Sequence, residues 1–424
     1  MNTTRLFRDG ANWLSQSVYV TLTLFFKTEI RNHASGLALY FFLSSIPLAY
    51  LLNTLISGNL ELSEALYFLL NMLHLNFMNV DFSRSSDQYY GLFRITSWVS
   101  LLVLLWSSSS LTRSVHGAFV VIFASPRRRH FIAINLIAFM VIPFAFLLLE
   151  LWSLGDYLTI HYNYANISNP LLVQTMKACF LFISMLTPFL VTWAIVFLTY
   201  FFMSPSRPRL SPAIATSFAC AFFIALFQYL TNTVFQVDQY IRVYGSLGAI
   251  IFSLIWAYVI SLLFLIFAEF LHVSSKIDVI AMEKIFLDSK DRGPLANRIE
   301  HFLFRRSERL FEKYGRSCRK DDIIIHQGGN PSQIYYLYSG KVGIYQAGPE
   351  GLVRIGEVKE GGLLGEVDYL LGDSAGATFV AETECFLFTL SPEMFEELVN
   401  SSLKLSRQVI DSFRHHFEQS RAKA

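Results

Sequence analysis

Charge is scarce in this chain. Of its 424 residues, 16% are Asp, Glu, Lys or Arg and 53% are hydrophobic, whereas ordinary soluble domains carry about a quarter charged residues. The scarcity is uneven. Residues 36–270 are nearly all apolar, and the composition from Lys276 onward is that of a soluble domain. Two units follow, one for a membrane and one outside it. A net charge of +2 gives no polyanion a surface to bind, so no nucleic-acid partner is expected. Cysteine is also sparse. Cys179 and Cys220 lie in apolar runs, Cys318 and Cys385 in the soluble part. None has metal-ligand spacing, so neither a zinc site nor a disulfide framework is expected. The opening MNTTRLFRDGANWLSQ lacks the basic start, apolar core and small-residue cleavage site of a leader peptide. The first two-thirds of the chain contains no enzyme motif.

What is present is long apolar runs. A span needs about 20 mostly apolar residues, and six stretches qualify: 36–57, 92–112, 131–153, 173–202, 211–234 and 244–271. Residues 18–26 read as an interfacial helix before the first span, and 62–75 as a surface or re-entrant element. Lys and Arg fill alternate loops. Arg5, Arg8, Lys27 and Arg31 precede span one, Arg113 and Arg127 to Arg129 follow span two, and Arg207 and Arg209 follow span four. The positive-inside rule then puts both termini in the cytoplasm. After Glu269, residues 274–318 read as two or three amphipathic helices broken by DRGP. Residues 321–390 read as short strands (IIIH, IYYLYSG, KVGIYQ, RIGEV, FVAE, FLFTL), and 391–420 as helix, with Ser391 as N-cap and Pro392 in its first turn. The expected fold is an α-helical polytopic membrane protein of six transmembrane helices followed by a cytosolic β-roll. Its domains are a membrane domain over 1–273, a helical linker over 274–300 and the β-roll over 301–424.

The segments SGKVGIY, GGLLGEVDYLLGDSAGAT and SPEMF, in that order, resemble the cyclic-nucleotide-binding fold over about residues 300–420. The resemblance implies a cAMP or cGMP pocket. A short helix after Gly365 and Glu366 offers backbone N–H groups to the phosphate, Glu366 holds the ribose 2′-hydroxyl, and an arginine opening an R-x-A-T stretch grips the phosphate. Here that stretch reads AGAT, from Ala375 to Thr378, with Ala375 where the arginine belongs. An arginine–phosphate bond contributes roughly 1.5–3 kcal/mol. Asp368 and Asp373 add charge of the wrong sign, and only Arg354 or Lys341 stand on neighbouring strands as substitutes. The reading is a degenerate nucleotide pocket (Gly365, Glu366, Ala375, Thr378) in a roll kept for regulation, docking or self-association. No cofactor and no metal are expected, with cAMP or cGMP as the ligand to test.

The stretches ASGLALYFFLSSIPLAYLL, HGAFVVIFASPRRRHF and YGSLGAIIFSLIWAYVISLLFLIFAEF resemble, in order and spacing, the YihY/BrkB family of bacterial inner-membrane proteins over about residues 1–275. The resemblance implies an inner-membrane location and six spans. Some members of that family have been linked to lipid or lipid-linked export, so the resemblance also implies lipid transport as a function to test. The family once carried the label ribonuclease BN, for which these residues give no support: Asp156 and His161 are separated in an expected outer loop, and no His/Asp cluster supplies a hydrolytic site. The chain is therefore read as a non-enzyme whose partners are membrane lipids and, through the roll, a protein or a second copy.

Polar groups within spans are costly and often functional, although a lone Ser or Gly more often serves helix packing. The groove candidates are Ser44, Pro47, Arg113, Glu150, Gln228, Tyr244, Gly245, Gly248 and Glu269. Glu150 and Glu269 are expected to pair with Arg94 or Arg113, to snorkel to the headgroups, or to serve transport. Pro47, Pro143 and Pro188 are expected to kink or break their spans. The favoured function is translocation of a lipid or another amphiphile. The alternatives are a membrane-anchored scaffold or sensor, and a cyclic-nucleotide-regulated channel.

Overall fold

The structure, a computed structural model, describes residues 3–27, 30–56, 90–123, 170–205, 208–234, 237–286, 302–304, 308–329, 333–348 and 351–423. The expected third span (131–153), the 62–75 element, Pro143 and Glu150 lie outside the described residues. Two compact units are present. One is Val20–Ser275, and the other combines Met1–Tyr19 with Lys276–Ala424.

The first unit is helical. Its helices are α1 (Thr3–Lys27, from Val20 on), α2 (Ile30–Ile56), α3 (Tyr90–Ile122), α4 (Pro170–Met203), α5 (Leu210–Val234) and α6 (Val237–Phe286, up to Ser275). The 18–26 stretch is thus the end of a 25-residue helix. Two helical segments among the described residues are long and apolar enough to cross a membrane, Leu210–Thr231 and Ile250–Ile285, and Phe189–Met203 is a shorter apolar one. Six spans were expected from the sequence; those two are the clear candidates. Large apolar side chains face outward, among them Leu102, Trp106, Phe218, Phe222, Leu247 and Ile255, as suits a hydrocarbon solvent. Inside, Phe119 stacks on Phe264 at 5.9 Å between ring centroids, and Tyr200 donates a 2.6 Å bond to the Phe264 carbonyl, joining α3, α4 and α6. Trp193 Nε1 donates to Ser217 Oγ across α4 and α5. α2 and α4 run on as helix through Pro47 and Pro188, so neither proline breaks its helix.

In the second unit α6 continues. Amphipathic helices separate from the 244–271 span were expected over 274–318, but the same helix runs on to Phe286. Ile277, Ala281, Met282 and Ile285 keep a buried face at helical spacing, and no Gly or Pro stops the chain before Gly293 and Pro294. α7 (Glu308–Tyr314) leads into two four-stranded antiparallel sheets, ordered β1-β8-β3-β6 and β2-β7-β4-β5. The strands are β1 (Gly315–Cys318), β2 (Ile323–Ile325), β3 (Ile334–Ser339), β4 (Val342–Gly348), β5 (Gly351–Val358), β6 (Leu363–Leu364), β7 (Thr378–Ala381) and β8 (Cys385–Leu390). GRSC, expected to be helical, is a strand because its backbone pairs residue for residue with β8. The sheets enclose Leu337, Val342, Leu364, Ala381 and Leu387. Three helices complete the unit, α8 (Glu366–Leu371), α9 (Pro392–Ser401) and α10 (Leu403–Lys423). Ser391 caps α9 through its side chain, which accepts from the Met394 N–H at 3.3 Å.

At the start of this unit the last turns of α6 are tied to the β-rich part. Asp278 accepts bonds from Arg309 (2.6 Å), Lys313 (2.8 Å) and Tyr314 (2.9 Å) on α7. Lys276 pairs with Glu397 on α9. From the N-terminal arm, Gln16 donates to the Leu303 carbonyl at 2.7 Å, and Tyr19 meets Phe304 edge-on.

Candidate functional site

The degenerate nucleotide site is built where β6 turns into α8 and returns through 372–377 to β7. Gly365 sets the turn. Its φ of 81° is open to glycine at little cost, and a Cβ there would stand 3.2 Å from Ile325 Cδ1. Glu366 follows, 7% exposed. Burial is the main reason its carboxyl is held above the ordinary range, and nearby Asp368 adds to it; Ser412 on α10 reaches the same carboxylate and opposes the shift. α10 is fixed over this edge, since Gln408 Nε2 donates to the Gly361 carbonyl at 2.7 Å. Gly372, at φ 71°, closes α8.

The returning loop explains what replaced the arginine. Ala375 is 2% exposed, and its backbone is bonded both ways to the turn after β2. Gly328 N–H donates to its carbonyl (2.7 Å), and its own N–H donates to Gly329 O (2.9 Å). Thr378 Oγ1 accepts from Gln327 N–H at 3.2 Å. Asp368, 9% exposed, accepts from Gly376 N–H at 3.3 Å. The helix that Gly365 and Glu366 open is thus joined to the loop carrying Ala375 and Thr378 through Asp368. A carboxylate of the chain itself takes a backbone N–H in the loop that should grip phosphate. Of the suggested substitutes, Arg354 is engaged elsewhere, held by Glu357 (2.9 Å) and Glu382 (2.8 Å) at the β4–β5 and β7 side; Lys341 donates its backbone N–H to Thr383 Oγ1. A six-residue helix with Glu366 and Asp368 in its first turn offers an anion little.

In the helical unit the polar candidates separate by chemistry. Ser44, Ser45, Ser110, Thr112 and Thr231 each return their hydroxyl to a carbonyl one turn back, at 2.7–2.9 Å. That satisfies the hydroxyl within its own helix. Arg113 is exposed and bonds the Ser109 carbonyl and Ser110 Oγ. Gln228 is half-buried on α5. Tyr244 and Gly245 fall on the first turns of α6, and Gly248 is buried there. Pro47 lies within α2. Glu269 stands apart: it is 2% exposed, and among the described residues nothing hydrogen-bonds its Oε2. One turn on, His272 packs against Phe123 at 5.1 Å. Among the described residues no three His, Cys, Asp or Glu side chains gather as metal ligands.

A family model described as virulence factor BrkB matches residues 21–278, more than half of the chain. The chain belongs to that family. BrkB membership covers the whole helical unit but its first residue, and with it the outward apolar surface described above. A second model, the cyclic nucleotide-binding domain, matches residues 315–402, from β1 to the end of α9, so this BrkB protein carries that domain fused behind its helices. Neither description names an enzyme. No curated protein matches the chain. Similar solved structures include the regulatory subunit of a cAMP-independent protein kinase A from Trypanosoma brucei, at 22% identity and TM-score 0.22, covering 26% of this chain and 40% of that one. The corresponding subunit from Trypanosoma cruzi, bound to guanosine, has 23% identity and TM-score 0.20, covering 24% and 34%. A transcriptional regulator from Thermotoga maritima has 18% identity and TM-score 0.25, covering 27% and 92%. The chain spans less than half of either kinase subunit. At such TM-scores the C-terminal assignment rests on the family model and on the two sheets themselves.

Proposed function

We propose that this BrkB protein is a six-span inner-membrane protein, both termini cytoplasmic, that moves a lipid or another amphiphile across the bilayer. Its β-roll regulates or docks without needing a cyclic nucleotide. The observation that carries the reading is Glu269, an acid 2% exposed within the apolar α6 whose Oε2 finds no hydrogen bond among the described residues. An uncompensated carboxyl at such a place costs several kcal/mol, roughly, and acids kept inside spans commonly line a transport path. The self-satisfied serines argue that the remaining polar groups serve packing.

The test is reconstitution of the full chain into vesicles holding a fluorescent phospholipid, with leaflet exchange followed by dithionite quenching. Exchange above the protein-free rate, lost at least tenfold in Glu269→Gln at equal folded yield, supports translocation. Equal rates with and without protein remove it. A second reading, a cyclic-nucleotide-gated activity, is favoured by the domain match alone. Acceleration of exchange by micromolar cAMP or cGMP would establish it.

A further inference from the structure

Cys318 and Cys385 are far apart in sequence and meet in the β-rich unit. They are register partners at the end of the antiparallel β1–β8 pair. Directly opposed residues of such a pair share a face, with Cα atoms about 4.5 or 5.5 Å apart depending on the pair type. Both spacings fall within the roughly 4.4–6.8 Å that a disulfide spans. Both side chains enter the same buried cluster with Leu337, Val342 and Leu387, and both are free thiols. The Cys385 thiol is held close to the backbone. Its Sγ donates toward the Thr383 (3.2 Å) and Lys341 (3.3 Å) carbonyls. It also sits where a Cβ on Gly340, at φ 102°, would come within 2.7 Å.

We propose that this pair is a modification site, a cross-strand dithiol that a peroxide converts to an intramolecular disulfide, stapling β1 to β8. β1 is a four-residue edge strand, paired on one side only, and short edge strands open locally far more readily than a core unfolds. Closed, the site is protected, because burial is the main cause holding the Cys318 thiol above its ordinary value. Opened to water, Cys318 ionises as an ordinary thiol and attacks the peroxide. Its sulfur displaces one oxygen of the O–O bond and becomes a sulfenic acid, and the first oxygen leaves as water after taking the thiol proton. Cys385 sulfur then attacks the Cys318 sulfur. The S–S bond forms, the sulfenic oxygen leaves as the second water with the Cys385 proton, and the pair has given two electrons to the peroxide. Rotation of Cys385 about χ1 gives up two weak thiol bonds.

The test uses the full chain in detergent, treated with hydrogen peroxide, denatured, alkylated and mapped without reductant. The expected product has lost two hydrogen atoms and contains a crosslinked peptide pair carrying Cys318 and Cys385. Dithiothreitol reverses it. Cys318→Ser abolishes the crosslink and leaves Cys385 alkylatable. In the oxidised chain, amide exchange of β1 slows at least tenfold. The proposal is overturned if both thiols alkylate fully after peroxide, if Cys318 is found only as sulfinic acid, or if the disulfide joins either residue to Cys179 or Cys220. The wild-type map decides the matter even if the serine variant fails to fold.

Discussion

Ala375 and Asp368 together define what the β-roll can hold. From sequence, restoring arginine at 375 is expected to raise cyclic-nucleotide affinity about tenfold or more if the pocket is open. The bond from Gly376 N–H to Asp368 changes that expectation, because an arginine there meets a carboxylate before it meets a phosphate. The full-length protein is expected to bind cAMP no tighter than about millimolar, about −4 kcal/mol. Ala375→Arg alone should leave that unchanged, and Ala375→Arg with Asp368→Ala should tighten it about tenfold or more. Calorimetry on the three proteins decides, and micromolar binding by the unaltered chain would refute the reading of a lost site. Glu366 makes a prediction of a different kind. Its carboxyl is raised in the folded state above its ordinary 4.5, chiefly by burial. The stability it contributes is therefore fully present below about pH 4.5 and is lost as pH rises through the folded-state value. Glu366→Gln should gain on the wild type as pH rises from about 4 to 8, read from amide exchange in β3 and β8. A constant difference across that range would show that Glu366 ionises as freely folded as unfolded.

Elements were legible where local chemistry decides them. The six strands with β-branched or aromatic residues stand at their expected places, and the Ser391–Pro392 start of α9 is a local signal that the cap geometry fulfils. β1 was not legible. GRSC has no strand composition and becomes a strand only because β8 lies beside it. The same register opposes Cys318 and Cys385, a pairing with no spacing motif to announce it. At the site, Glu366, Ala375 and Thr378 could be named from their motif, whereas the Asp368 bond and the approach of Ser412 depend on how α8 and α10 pack. Asp278 was hidden for a like reason, since its three partners come from α7. Charge-assisted bonds contribute roughly 1.5–3 kcal/mol, less where one partner is exposed, as Lys313 is. Asp278→Ala should raise amide exchange rates in α7 and β1 at least tenfold while β4 and β5 stay unchanged. Equal protection in both proteins would mean that apolar packing alone holds α7.

For the molecule as a whole, the fusion of a helical BrkB unit to a cyclic nucleotide-binding domain was readable from composition and motif order. Orientation is the expectation that most needs measurement. With both termini cytoplasmic, a cysteine placed between 153 and 172 should react with an impermeant maleimide added to intact spheroplasts, and one between 125 and 130 only after lysis. The reverse pattern would invert the topology.

α6 has a further consequence, one of phase. Beyond Ser275 it carries Asp278, which holds α7, and the buried Ala281, Met282 and Ile285. At about 3.6 residues per turn the direction of Asp278 is fixed relative to that buried face. An inserted residue between Asp278 and Ala281 turns one relative to the other by about 100°, whereas seven residues, close to two turns, nearly restore the angle. The chain between Asp278 and Ala281 should thus tolerate changes of sequence far better than changes of length, with lengthening by seven as the mildest.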